Sequence, residues 1–277
     1  MSQIIDGKKI AEKIKDDITQ EIFRMGTRPN LAIVLLKGRS DSELYVSLKE
    51  REAKKVGIDT HLYKMPSETT EEELLETVKY LNKDDLIDGI LVQLPLPKHI
   101  DADKIIDSIS PEKDVDGFHP ENLEKLKNNQ ARHMPPVYGA ILEMLGDINY
   151  EIENKKVCIF SNSKIFGNNL SSLLEKEGAS CTTLKPEDKK AKETASQADI
   201  LISAIGKESF IKKDMVKKDA VIIDIGITKK GKKVKGDVDF ENVEDHCSYI
   251  SPVPGGVGPL TIAMTFQNTL NEFKRKK

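Results

Sequence analysis

Lys156-Val-Cys-Ile-Phe160, the loop Ser161-Asn-Ser-Lys-Ile-Phe-Gly-Asn-Asn169 and a helical segment stopped by Gly178 decide the fold class. A short apolar run of this kind reads as a strand buried on both faces, and a helix is expected after it from about Asn168 to Glu177. The strand signal then repeats in ASCTTL (179–184), ADILISAIG (198–206) and AVIIDIG (220–226). Four such segments in succession, two of them ending in glycine, describe a doubly wound nucleotide-binding unit.

The same alternation precedes it. Ile10, Ile14 and Ile18 recur at helical spacing, and Leu31–Leu36 (LAIVLL) is a second fully apolar strand. A helix from about Asp41 to Lys55 ends at Gly57, and Ile58–Met65 forms the next strand. Thr70 and Glu73 make a capping box for a further helix, and Gly89–Leu94 (GILVQL) is a strand ended by Pro95 and Pro97. The chain is therefore read as α/β in two domains, with a parallel sheet in each. The first spans 1–136 and the second 137–261, with Pro111–Pro136 as the link between them. Periodicity leaves open which domain receives a last helix over 262–277.

Composition narrows the function. The 277 residues carry 43 Lys+Arg against 46 Asp+Glu, a net charge of -3, which favours neither nucleic acid nor an anionic membrane as a partner. The amphipathic start, with acids from Asp6 onward, does not read as a secretory signal, and no apolar run approaches membrane length. Cys158, Cys181 and Cys247 lack paired or metal-type spacing and read as reduced thiols of a cytoplasmic protein. His61, His99, His119, His133 and His246 are scattered, so no metal site is expected.

Ligand chemistry in such sheets belongs at the carboxyl ends of strands. Gln93 stands there, either as a satisfied core amide or as a ligand-facing hydrogen-bonder. Tyr45 and Lys49 lie four apart on one helix face. Asp114 and Asp116 flank Val115 before Gly117. They read either as a turn making local backbone hydrogen bonds or as a free carboxylate for an amide–amine edge such as a pterin presents. Ser251-Pro-Val-Pro-Gly-Gly-Val-Gly-Pro-Leu-Thr261 reads as a shaped loop throughout, with Gly255 and Gly256 admitting a close approach to the backbone.

Together Tyr45-Val-Ser-Leu-Lys49, Asp88-Gly-Ile-Leu-Val-Gln-Leu-Pro-Leu-Pro97, Pro111-Glu-Lys-Asp-Val-Asp-Gly117 and Ser251–Pro259 resemble one family. It is the bifunctional methylenetetrahydrofolate dehydrogenase/methenyltetrahydrofolate cyclohydrolase family, and the likeness runs over nearly the whole chain. The resemblance implies an N-terminal folate-binding catalytic domain and a C-terminal Rossmann-like domain with a cleft between them. It implies hydride transfer from 5,10-methylenetetrahydrofolate to a nicotinamide, then hydrolysis to 10-formyltetrahydrofolate, within one-carbon metabolism and purine biosynthesis. It makes Lys49 the catalytic lysine, with Gln93 beside it, Tyr45 stacking on the folate and Asp116 holding the pterin. Pro254, Gly255 and Gly256 would line the substrate. The nucleotide would lie on Ser161, Asn162, Ser163, Lys164, Gly167, Lys185, Ala204, Ile205, Gly206 and Ile227. A homodimer through the nucleotide domain is implied as well.

The nucleotide half departs from the family pattern. Aligned on Gly167, Ser161 replaces the first glycine of the phosphate loop, Asn162 the arginine expected to meet the 2′-phosphate of NADP, and Asn169 the final proline. Loss of one charge-assisted contact weakens binding by ~1.5–3 kcal/mol. Pro136 replaces a threonine, for which Tyr138 is the nearby substitute. Lys164 and Lys185 favour a phosphate over a diol, since no acid precedes Glu187 at the end of the second strand. The expected cofactor is NADP, with NAD the alternative. The rivals are a cyclohydrolase with a weakened dehydrogenase, a non-catalytic folate- or nucleotide-binding protein, and an unrelated two-domain dehydrogenase. The last would need a catalytic His or Lys, and His119 and His246 lack the context.

Overall fold

The computed structural model describes residues 2–128, 130–231 and 233–277. The chain opens with β1 (Gln3–Ile4), α1 (Gly7–Met25), β2 (Asn30–Leu36), α2 (Ser40–Val56), β3 (Asp59–Met65), α3 (Glu71–Lys83) and β4 (Gly89–Val92). Three helices follow: α4 (Ala102–Ser108), α5 (Pro120–Lys127) and α6 (Pro136–Asp147). Then come β5 (Lys156–Ser161), α7 (Lys164–Lys176), β6 (Ser180–Leu184), α8 (Ala191–Ala195), β7 (Ile200–Ala204) and β8 (Val221–Asp224). A hairpin of β9 (Thr228–Lys230) and β10 (Lys233–Lys235), α9 (Phe240–Val243), β11 (Tyr249–Ile250) and α10 (Val257–Arg275) complete it.

Two compact units result. One comprises Met1–Ala11 and Val137–Thr261, the other Glu12–Pro136 and Ile262–Lys277. The division thus falls inside α1 and inside α10. The first eleven residues, assigned above to the first domain, belong instead with 137–261, because β1 pairs in parallel with β11. A two-residue strand has too short a pattern to announce itself.

In the smaller sheet the order is β3-β2-β4, and both pairings are parallel. Alternation along β2 explains its uniform apolarity. Leu31, Ile33 and Leu35 pack with Ile18, Val46, Phe266 and Leu270, while Ala32, Val34 and Leu36 pack with Leu74, Val78 and Ile105. The helix over 71–83 has the expected box, with the Thr70 and Glu73 side chains each bonded to the other residue's N–H. Gly57 closes α2 at φ 89°, a left-handed stop that only glycine adopts without strain.

The larger sheet has the order β1-β11-β8-β7-β5-β6, parallel throughout. Phe160, Leu201, Ile222 and Ile250 share one face of it and one apolar cluster. The chain leaves β5 for β6 on one side and returns to β7 on the other, so the order reverses at β5. The smaller sheet reverses at β2. Such reversals leave a crevice at the carboxyl ends of the adjoining strands.

Three boundaries differ from expectation. α7 starts at Lys164, four residues early, because Ser163 caps it by accepting the Phe166 N–H at 3.2 Å. α10 starts at Val257, so Gly258 and Pro259 lie in its first turn and only the residues before it form a loop. A first turn lacks intrahelical partners for its N–H groups, so proline costs nothing there. Finally, Pro111–Pro136 is not a linker. It contains α5 and the buried residues Lys113, Asp114, Val115, Leu123 and Leu126, and folds within the unit that holds β2.

Candidate active site

In the smaller sheet's unit, Tyr45, Lys49, Gln93 and Asp116 come together. Tyr45 and Lys49 lie one helical turn apart on α2, and the Lys49 ammonium nitrogen sits 4.9 Å from the Tyr45 ring centroid. Gln93 follows β4, its N–H still donating to the Val34 carbonyl at 2.9 Å, so it stands at the crevice end of the strand. Its side chain is held at both ends: Nε2 donates to the Leu94 carbonyl at 2.7 Å, and Oε1 accepts from Lys49 Nζ at 3.2 Å. The sequence left Gln93 open between core amide and ligand group. The structure makes it a half-buried amide oriented toward the lysine.

The two aspartates divide between them the two readings of their motif. Asp114 is the turn-former, 1% exposed, accepting N–H groups from Gly117 at 3.0 Å and His119 at 2.8 Å and the Asn122 amide at 3.0 Å. Asp116 is half-buried, and its carboxylate has no hydrogen-bond partner among the described residues. Its delivery depends on Lys113, whose buried ammonium donates to the carbonyls of Leu81, Asn82 and Asp84 at 2.7–3.0 Å. Those carbonyls end α3, where a cation is favoured. The Lys113 carbonyl in turn accepts the Ile90 N–H at 2.7 Å, so the strap runs beside β4. Lys113 is a support that sequence reading missed, because only the fold shows its ammonium facing backbone carbonyls.

Electrostatics follow from this burial. Desolvation pushes the Lys49 ammonium below its usual 10.5, and the Asp116 charge opposes that only in part. Burial likewise raises Asp116 above the ordinary carboxylate range, against the pull of Lys49. A lysine at 6% exposure with its pKa lowered can hold and release a proton nearer neutrality than a free one.

In the larger sheet's unit the nucleotide candidates gather at the reversal beside β5. Ser161 ends β5, its hydroxyl bonded to the backbone of Ser163 at 3.0 Å. A Cβ at Gly167 would lie 2.5 Å from Thr183 Cγ2, so α7 packs onto β6 at a separation only glycine permits. The helix therefore starts close to the sheet beside the reversal, and a helix N-terminus there favours an anion. Asn162 reaches from this loop to the next one, its amide donating to the Ile205 carbonyl at 2.9 Å. Gly206 has φ +66°, and nothing lies within 4 Å of the place a Cβ would take. An open-faced loop beside a capped helix N-terminus fits a dinucleotide.

Other expected members stand differently. Lys164 and Lys185 are exposed, and Ile227 is 58% exposed. Asp188 does follow β6, but its carboxylate accepts the Lys185 N–H at 2.7 Å within a turn. Tyr138 is fully buried, donating to the Phe166 carbonyl at 2.8 Å, and so props α7. At Gly256 the close approach is made by the chain itself: a Cβ on Gly7 would fall 2.0 Å from the Gly256 carbonyl oxygen. Gly255, at φ +105°, gives its carbonyl to the Lys8 N–H at 3.0 Å, and Pro254 is exposed.

A parallel sheet with a glycine-packed helix start, joined in one chain to a second sheet bearing a buried lysine, defines a two-unit α/β enzyme of the dinucleotide-dependent class. Residues 5–116 match the catalytic domain of tetrahydrofolate dehydrogenase/cyclohydrolase, and residues 135–277 match the NAD(P)-binding domain of the same enzymes. The chain belongs to the tetrahydrofolate dehydrogenase/cyclohydrolase family. It is 42% identical to the bifunctional protein FolD of a Nitratiruptor species, over 99% of each chain. The crystal structure of bifunctional FolD from Campylobacter jejuni superposes with a TM-score of 0.95 at 36% identity, covering 100% of both chains. The Trypanosoma brucei dehydrogenase-cyclohydrolase, solved with NADP cofactor and inhibitor, also gives 0.95, at 33% identity over 99% of this chain and 98% of that one.

Proposed function

We propose that the chain oxidises 5,10-methylenetetrahydrofolate to the methenyl cation with NADP and hydrolyses that cation to 10-formyltetrahydrofolate. The observation that carries this is Lys49, buried, hydrogen-bonded to Gln93, set over the Tyr45 ring and shifted toward its neutral form. In the first step a hydride leaves the methylene bridge, and the bound nucleotide supplies its acceptor. The protein contributes alignment and exclusion of water, with Tyr45 offering a ring face for stacking and Asp116 an unpaired carboxylate for the pterin amide–amine edge. In the second step water adds to the methenyl carbon, and the carbon–N5 bond of the adduct then breaks as the hydroxyl proton passes to N5, which leaves the formyl group on N10. Lys49 takes the proton that water loses, and Gln93 orients the lysine without adding charge. A bound cation would lower the Lys49 pKa further.

The nucleotide is taken to be NADP because Lys164 and Lys185 are both exposed beside the helix start and Asp188 is engaged in its turn. Asn162 is a strut to Ile205 and does not replace the missing arginine charge. The enzyme is further taken to be cytoplasmic and a homodimer through the larger sheet's unit, as the family resemblance suggests. Among the described residues no helix is long and apolar enough to cross a membrane.

Dehydrogenase rates with NADP and with NAD, in the parent and in Lys185→Glu, test the assignment. The expected result is a parent that prefers NADP and a variant that loses about ten- to a hundredfold in NADP efficiency, the value of one charge-assisted contact. Unchanged NADP use by the variant would remove Lys185 from the site.

A further inference from the structure

The loop 204–207 is restrained almost entirely by side chains from other segments. Asp237 lies after β10 and is 0% exposed. Its Oδ2 accepts the Ser203 hydroxyl and the Ile205 N–H, both at 2.8 Å, and its Oδ1 accepts the Lys207 N–H at 2.7 Å. The Ile205 carbonyl accepts the Asn162 amide at 2.9 Å, and the Gly206 carbonyl accepts the Thr228 hydroxyl at 3.1 Å.

Asp237 is itself fixed from behind. Asp224, 3% exposed at the end of β8, accepts the Asp237 N–H at 3.0 Å and the Gly226 N–H at 2.9 Å on Oδ1, and the Val238 N–H at 2.9 Å on Oδ2. The two carboxylates lock onto each other's flanking glycine. A Cβ at Gly226 would fall 2.0–2.3 Å from the Asp237 carboxyl atoms, and one at Gly236 would fall 2.0 Å from Asp224 Oδ2. Six donors thus converge on two buried carboxylates, an arrangement far stiffer than a surface turn needs.

The restraints all reach the loop through its backbone groups. Nothing lies within 4 Å of the place a Gly206 Cβ would take. A ligand-facing loop needs this, because a side chain of its own placed in the crevice would occupy the ligand's space.

We propose that Asp237, seated by Asp224, is a positioning residue for the nucleotide: it holds Ile205 and Lys207 in the conformation that binds NAD(P), with Asn162 and Thr228 as secondary struts. This rests on the reading that 204–206 lines the nucleotide site. Asp237 touches no substrate and acts through the loop.

The test measures NADP binding by calorimetry, amide hydrogen exchange, and hydrolysis of methenyltetrahydrofolate without nucleotide, in the parent, Asp237→Asn and Thr228→Val. The asparagine must turn an NH₂ toward one of the donors that Asp237 now accepts. Asp237→Asn should weaken NADP binding at least tenfold and deprotect the Ile205 and Lys207 amides, with hydrolysis within twofold of the parent. Thr228→Val, which leaves the buried pair untouched, should weaken NADP severalfold in the same pattern. A purely structural role would instead depress hydrolysis together with stability and leave the NADP affinity of the folded fraction unchanged. Thr228→Val binding within twofold of the parent, with Asp237→Asn either equally unaffected or unfolded, overturns the proposal. A parent that binds neither NADP nor NAD overturns the reading beneath it, and the proposal with it.

Discussion

Replacing Lys49 by methionine separates what the site costs the fold from what it gives the reaction. Methionine keeps the length and removes the charge. In the parent, burial lowers the Lys49 pKa despite the nearby Asp116 charge, so desolvation of the ammonium outweighs its attraction to the carboxylate. Removing the ammonium relieves that penalty. Against this, Gln93 Oε1 loses a donor at 3.2 Å, worth ~0.5–1.5 kcal/mol, but Gln93 is half-buried and water can replace it. Asp116 is half-buried too. The balance predicts a variant as stable as the parent or up to ~1–2 kcal/mol more stable in urea unfolding.

Hydrolysis should fall in the same variant by ~10²–10⁴-fold, the usual contribution of a positioned acid or base. In the parent, hydrolysis should rise with pH as Lys49 loses its proton and level off below 10.5. Asp116→Asn removes the charge that opposes the shift, so its inflection should move to lower pH. A Lys49→Met variant that hydrolyses methenyltetrahydrofolate within tenfold of the parent would refute the catalytic assignment. One destabilised by several kcal/mol would show that Lys49 is there for the fold.

Three further outcomes follow from the supports. Asp114→Ala takes the side-chain acceptor from the Gly117 and His119 N–H groups, while the Asn122 amide keeps the Pro111 carbonyl at 2.8 Å, and should cost ~2–4 kcal/mol in urea unfolding while lowering activity through Asp116. Glu52 resists ionisation through burial, yet hydrogen bonds and charge from Lys15 and Lys55 hold it at about 2, against an ordinary 4.5. A depressed carboxylate stabilises the fold above its unfolded value and loses that as pH falls, so Glu52→Gln should cost ~2–3 kcal/mol at pH 7 and converge on the parent toward pH 2. Glu272, 1% exposed, pairs in bidentate fashion with Arg132 at 2.6 and 2.7 Å. Glu272→Ala removes the acceptor of a guanidinium that is 38% exposed and that water can reach, so hydrogen exchange should show the last turns of α10 opening at a cost of ~1–2 kcal/mol.

The strands buried on both faces were the most legible parts of the chain. Leu31–Leu36 and Lys156–Phe160 have no polar side chain after their first residue, and few alternatives to a central strand exist for such runs. Helix ends were harder. Lys164 and Val257 begin helices inside segments whose serine, glycine and proline content also suits loops, and the cap geometry that decides between them is tertiary. The lysine-rich hairpin at 228–235 carries no apolar alternation and left no signal.

The site divided along the same line. Tyr45, Lys49, Gln93 and Asp116 could be singled out because their motifs are specific, and the structure brings them together, although only Gln93 stands at a strand end. Lys113, Asp224 and Asp237 could not, since a charged residue shows in sequence neither whether it is buried nor which backbone groups it meets. Asp224 came nearest, as the one acid in the run Val221-Ile-Ile-Asp-Ile225.

The most direct test of the account follows one preparation of Lys49→Met beside the parent, with methylenetetrahydrofolate and NADP, recording reduced nucleotide and methenyl absorbance together. Reduced nucleotide is expected in both, with the methenyl species passing to 10-formyltetrahydrofolate in the parent and accumulating in the variant. A parent that produces no reduced nucleotide, or a variant that clears methenyl as fast as the parent, would contradict it.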